Sequence, residues 1–129
     1  MSTFKPRGTA VALNGEERHF LFTLNMIDQI EEKYDKPLKN VIEDVTNDVD
    51  SGHLLRDLVV MLLNDEAGRN ERMQEGVKYP IVSAEEVGDM IGLDNYYEVL
   101  TAILRAYGIS LPEPDEDKDP NQKSGQTKN

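Results

Sequence analysis

Hydrophobic positions along this chain group into segments of two periods, and the densest of them is Leu54-Leu55-Arg56-Asp57-Leu58-Val59-Val60-Met61-Leu62-Leu63, whose last six residues are all apolar. A short apolar run suits a buried strand or a buried helix. Here Leu54 and Leu55 extend the pattern backwards by a turn, and Asp65, Glu66, Ala67 and Arg69 follow without a breaker, so the length favours a helix over about 52–66. Apolar nearly all the way round, it needs neighbours on several sides. At about 1.5–3 kcal/mol for each large side chain fully buried, it dominates the hydrophobic term.

Upstream the period is two. Residues 1–8 hold Pro6 and Gly8 and little to bury, which predicts a flexible leader. Thr9 to Leu13, the turn signal Asn14-Gly15 and the aromatic segment Arg18 to Phe22 then predict a β-hairpin over 9–22. Phe20 and Phe22 share one face of it, with His19 and Leu21 on the other. From Thr23 the period becomes helical. Asn25 is the expected cap of a helix over about 25–35 with Met26, Ile27, Ile30 and Tyr34 inward, while Asp28, Glu31, Glu32 and Lys33 fill the outer face. It should end at Asp35-Lys36-Pro37, since the residue before a proline resists the helical region. Leu38, Val41, Ile42 and Val45 predict a short helix over 38–45, followed by a polar loop in which Asp50 or Ser51 caps the central helix.

Beyond the central helix, Asn64 to Gly76 is highly charged, with Met73 its one large apolar residue beyond the apolar run, and reads as a fraying extension or a mobile loop. Val77 to Val82 is β-prone but contains Pro80, which suits an edge strand or an extended connector. Ser83-Ala84-Glu85-Glu86 is a capping box opening a helix over 84–91, with Val87, Met90 and Ile91 inward and Gly92 at its C-cap. A last helix over about 95–107, capped by Asp94 and closed by Gly108, carries the stripe Tyr96, Val99, Leu100, Ile103 and Tyr107. Tyr97 and Leu104 widen its apolar arc. The simpler reading makes both part of the core; the functional one makes them candidate partner-binding residues lining a groove. Residues 112–129 contain no large apolar side chain and are expected to be a disordered acidic tail. The fold class is therefore mainly α with a small N-terminal β-hairpin (α+β), in a single domain over 9–111.

With 129 residues, the chain has room for one such core. It has no cysteine, which excludes disulfides and thiolate sites, and no apolar run approaches the ~18–20 residues that span a bilayer. The N-terminus lacks the layout of a signal peptide, so no membrane association and a cytoplasmic location are expected. A net charge of -11 opposes binding to phosphate backbones, so nucleic acid is not an expected partner. Residues 113–129 hold five acids and three lysines, so most of that charge belongs to the domain.

Catalytic chemistry finds little to use. The two histidines, His19 on the hairpin and His53 at the start of the central helix, stand in no metal-ligand spacing and read as surface or helix-cap residues. Adjacent acids such as Glu31-Glu32 and Glu85-Glu86 point in different directions on a helix. The run Asn47 to Gly52 fails as a calcium loop, because aligning Gly52 with the turn glycine puts Leu58 where a bidentate Glu is required. Phosphate-loop, dinucleotide and nucleophile-elbow motifs are all missing. The expectation is a protein without catalytic residues, cofactor or metal.

The order of pieces nevertheless resembles a known family. A hairpin leads into Phe22-Thr23-Leu24-Asn25-Met26-Ile27-Asp28-Gln29-Ile30-Glu31-Glu32-Lys33-Tyr34, followed by Leu55-Arg56-Asp57-Leu58, the Ser83-Ala84-Glu85-Glu86-Val87-Gly88 helix start and an acidic tail with prolines. This is similar to the tail assembly chaperones of long-tailed bacteriophages, prophages and gene transfer agents, where a strand pair precedes a helix reading roughly N-x-I-x-x-I-E-E-K-F-G. The likeness covers about residues 10–116. Tyr34-Asp35 departs from the Phe-Gly often found there, and the central helix lacks the aromatic or glycine often present.

The resemblance implies a non-catalytic assembly factor that binds the tape measure protein, protects its apolar helices and helps recruit tail tube subunits, and that is absent from the finished virion. In many members a programmed frameshift gives a longer product. Thr127-Lys128-Asn129 is compatible with the slippery codons ACA-AAA-AAC, a hypothesis that the gene's nucleotides decide: without that heptamer and an overlapping downstream frame it fails. The alternative is a structural virion component such as a head-tail connector or tail completion protein. An acidic DNA mimic and an enzyme rank below both. Self-association is a further expectation, from the hairpin's edges and the broad apolar arc of the last helix.

Overall fold

The structure, a computed structural model, describes residues 5–47 and 52–109. The first four residues of the expected leader, the helix caps at Asp50 or Ser51 and the expected tail over 112–129 lie outside the described residues. The architecture within them is α+β and mainly helical: strands β1 (Thr9–Leu13) and β2 (Glu16–Phe20), then helices α1 (Leu24–Tyr34), α2 (Leu38–Asn47), α3 (Gly52–Met73), α4 (Ala84–Met90) and α5 (Tyr96–Tyr107).

Local chemistry explains most of the joints. Asn14 and Gly15 both adopt positive φ, 56° and 78°, the pair of left-handed residues that a two-residue hairpin turn requires. The antiparallel register pairs Leu13 with Glu16, Val11 with Arg18 and Thr9 with Phe20. Glu16 and Glu17 are thus inside the strand, earlier than the aromatic run alone suggests, and β2 stops at Phe20, so Phe22 packs from the following connection, with its ring edge-on to Tyr107 at 6.4 Å.

The cap of α1 is Thr23 rather than Asn25: its side chain accepts from the Met26 N–H. The helix closes where expected, but with a left-handed Asp35 (φ 55°) whose N–H donates to the Glu31 carbonyl. Glu31 also turns back to accept from the Leu38 N–H at 2.8 Å, supplying an acceptor to the first residue of α2.

The largest departure from expectation is α3, which runs unbroken to Met73 instead of fraying after residue 66. Its buried residues are Leu55, Leu58, Val59, Leu62, Leu63, Glu66, Ala67 and Asn70, a single stripe at spacings of three and four that continues through the charged half. Asp65 and Arg69 form an ion pair one turn apart beside it. The helix ends where Gln74 takes a left-handed φ of 55° and Gly76 follows at 79°.

Residues 76–83 then run as an extended connector with no sheet partner. Asn64 holds its end from both sides, donating to the Val82 carbonyl at 3.0 Å and accepting from the Val82 N–H at 2.8 Å. The Ser83–Glu86 capping box forms with both reciprocal bonds. However, α4 ends at Met90 and its C-cap residue is the extended Ile91, so Gly92 lies beyond the cap. Asn95, not Asp94, precedes α5, and its side chain ties the corner by bonding the Met90 carbonyl and the Gly92 N–H. Gly108 closes α5 at φ 110°, as its position predicts.

In the assembled core, α3 lies against β2, α1, α2 and α4, while α5 lies along the hairpin, chiefly on β1. Leu13 and Phe20 from the hairpin, Ile30 from α1, Val45 from α2, Leu62 from α3, Val87 from α4 and Ile103 from α5 meet in one cluster.

Candidate functional site

The distinctive chemistry of the molecule sits where β2 crosses the second half of α3. Glu66 occupies a position of the buried α3 stripe that an apolar residue would normally fill, and is 3% exposed. Its Oε1 accepts from Arg18 Nε at 2.9 Å and from the His19 backbone N–H at 3.2 Å; its Oε2 lies 2.7 Å from His19 Nδ1. Arg18 also donates through Nη2 to the Leu63 carbonyl at 3.0 Å, and His19 Nε2 lies 2.9 Å from Glu17 Oε2. Both imidazole nitrogens therefore face carboxylates, an arrangement in which both contacts are hydrogen bonds only when both nitrogens carry protons. Arg18 and His19 are as enclosed as Glu66, so the expectation of His19 as a surface residue is corrected: the hairpin folds it against α3.

The hairpin geometry explains why these groups converge. A two-residue turn makes Glu17 and His19 the residues of β2 whose backbone groups point away from β1. Glu66 accepts from His19 on that edge, and the Tyr79 hydroxyl donates to the Glu17 carbonyl at 2.9 Å. A carboxylate and a phenol thus take the places a third strand would occupy, so the β2 edge is not open for strand addition there. Tyr79 also lays its ring over the Arg18 guanidinium, 3.6 Å from the centroid, a cation–π contact on a partly desolvated cation. Asn70 fastens the same connector upstream, donating to the Val77 carbonyl at 2.8 Å.

Between hairpin tip, α3 and connector lies a cleft of about 370 Å³, lined by Pro6, Glu16, Glu17, His19, Glu66, Asn70, Gly76, Val77 and Tyr79. Three carboxylates line it and no lysine or arginine does. Both Glu66 oxygens and both His19 nitrogens are committed to partners within the protein, so the cluster shapes a negatively charged cleft and presents no free acid–base pair. Among the described residues no group of His, Asp and Glu is arranged to hold a metal ion, and no helix is long and apolar enough to cross a membrane.

Tyr79 carries a testable electrostatic signature. Burial raises its pKa above the ordinary 10.0, and the Glu66 charge adds to this, partly opposed by Arg18. A phenol whose folded pKa exceeds its unfolded value contributes stability that is complete below pH ~10 and is lost as pH rises through the folded pKa. Urea midpoints measured across the alkaline range are expected to fall above pH ~10, less steeply in Tyr79→Phe. Phenolate absorbance should show one late-titrating group fewer in that variant. Equal alkaline profiles for the two proteins would contradict the assignment.

The residues singled out from sequence are placed differently from one another. Leu104 is 8% exposed and belongs to the core, whereas Tyr97, in the first turn of α5, is 72% exposed, and Leu93, in the turn before α5, is fully exposed. His53 is exposed on the first turn of α3. The charge of the segment Asn64 to Gly76 predicts a fraying extension or a mobile loop, which hides the inward positions of Glu66 and Asn70 and with them the cleft. The available signal was that Val59, Leu62, Leu63, Glu66, Ala67 and Asn70 continue one helical stripe, with an acid where an apolar residue belongs. The chain matches no protein-family model, no curated protein and no solved structure.

Proposed function

We propose that this protein is a non-catalytic tail assembly chaperone of a long-tailed phage or prophage, acting in the bacterial cytoplasm to bind the tape measure protein and help recruit tail tube subunits. The observation that carries the reading is the corner built by Ile30-Glu31-Glu32-Lys33-Tyr34-Asp35. Ile30 is fully buried, Glu31 supplies an acceptor to the start of α2, and Asp35 takes φ 55°. The family often has glycine at that last position, and a left-handed residue is what glycine serves best, with Asp among the side chains that tolerate it. The departure from Phe-Gly is therefore compatible with the family's corner. Exposed Leu93 and Tyr97, four residues apart in an acidic domain, also suit a protein that offers apolar surface to a partner helix while its charge keeps the complex in solution.

Co-expression with the tape measure protein of the same phage or prophage, followed by pull-down and a solubility assay, tests the reading. The expected result is a soluble tape measure protein eluting with this chain, and weaker capture by the doubly substituted Leu93→Ser, Tyr97→Ser variant. A tape measure protein that stays insoluble and unbound would sink the proposal. Stoichiometric copies in purified particles, found by mass spectrometry, would favour the structural virion component instead.

A further inference from the structure

We propose that the cleft between the hairpin tip, α3 and the 76–83 connector is a binding site for a basic side chain, lysine or arginine, of a partner polypeptide. The inference rests on the cleft's own chemistry and stands apart from the tail-assembly reading. At about 370 Å³ the cleft lies at the small end of ligand pockets, which run ~300–1,000 Å³, a size suited to one long side chain. Its walls are apolar at Pro6, Val77 and Tyr79, matching an aliphatic stem, and acidic at the exposed Glu16 and Glu17, matching a cationic head. Glu66 is answered by Arg18 and His19 and one Glu17 oxygen by His19, while the Glu16 carboxylate has no ion-pair partner among the described residues.

A second feature points to a hydrogen-bond donor independently of charge. Asn70 is 7% exposed, donates through Nδ2 to Val77, and makes no hydrogen bond through Oδ1 among the described residues. Oδ1 is not among the polar atoms sealed inside the protein, so on the cleft wall it stands as an acceptor open to an ammonium or guanidinium N–H. The cation is assigned to a polypeptide because large apolar side chains are exposed in the same stretch of chain: Val77 on the cleft wall, and Met73 and Ile81 four residues to either side, are all more than half exposed and suited to a neighbouring chain.

The test is a backbone-amide NMR titration of the full chain with three capped amino acids: Nα-acetyl-lysine N-methylamide, its arginine counterpart and its norleucine counterpart, plus putrescine as a free diamine. The expected result is shifts from the lysine or arginine probe confined to the cleft-lining residues, with the norleucine probe silent. Apparent affinity should weaken about fivefold in Glu16→Gln, Glu17→Gln, both exposed and both keeping an acceptor oxygen. It should fall by a similar factor between about 0.05 M and about 0.5 M salt. A charge-matched control, Glu32→Gln with Glu43→Gln, should change it less than twofold. No cleft shifts, shifts scattered over the acidic surface, or equal loss in the control would overturn the site. Tighter binding of putrescine than of either capped residue would overturn the polypeptide source. None of these outcomes depends on capture of a tape measure protein, so the two proposals fail separately.

Discussion

Glu66→Ala is expected to cost about 3–5 kcal/mol of folding stability, because it leaves Arg18 and His19 enclosed without the carboxylate that answers them. The cost comes less from the lost attraction than from the stranded partners. Arg18 Nε, His19 Nδ1 and the His19 backbone N–H all lose their acceptor at once, in a place water reaches poorly. For a domain of this size the loss corresponds to a fall in Tm of roughly 10–20 °C. Glu66→Gln keeps an acceptor oxygen but not the charge, and should lose about 1.5–3 kcal/mol. Equilibrium urea unfolding of the three proteins checks the order. If Glu66→Ala unfolds within about 0.5 kcal/mol of the parent, a range typical of surface substitutions, the cluster does not hold the hairpin to α3.

Phe20→Ala should be comparably damaging, at about 3–5 kcal/mol, by a different route. Phe20 has no exposed surface and ends the strand that lies between α3 and α5. Removing its ring opens a cavity at the place where the two-stranded sheet joins the helical core. A two-stranded hairpin is marginal in water by itself, so it depends on that contact. The hairpin amides, followed by hydrogen exchange, should therefore lose protection more than those of α1 and α2. Uniform loss across the chain would show instead that the domain unfolds as one unit without local detachment of the hairpin.

These two variants probe what ties the hairpin down, and the proposed cleft depends on the same tie. Glu17 and His19 reach the cleft only because β2 is pinned to α3. The connector reaches it only because Asn64, Asn70 and Tyr79 fasten it. A destabilised hairpin would blur the cleft, which is why Gln substitutions at exposed Glu16 and Glu17 are the cleaner test of binding.

Elements with a local cause are legible from the residues alone. Asn14-Gly15 dictated a two-residue turn, Ser83 and Glu86 dictated the start of α4, and the Tyr96 to Tyr107 stripe and Gly108 dictated the length of α5. Each depends on residues within a turn or two of one another, where spacing and intrinsic conformational preference act directly. Tertiary structure decided the rest. Arg18 and Glu66 are 48 positions apart, so the stripe that carries Glu66 marks an inward position but does not name the strand and the arginine that answer its charge. The same placement turned a segment rich in charge into seven further residues of ordered helix. It also separated Tyr97 from Leu104, because which flank of an apolar arc is covered depends on where the hairpin lies. Short-range periodicity fixes what a segment becomes; the free energy of burying its flanks and charges is settled only when the other elements arrive.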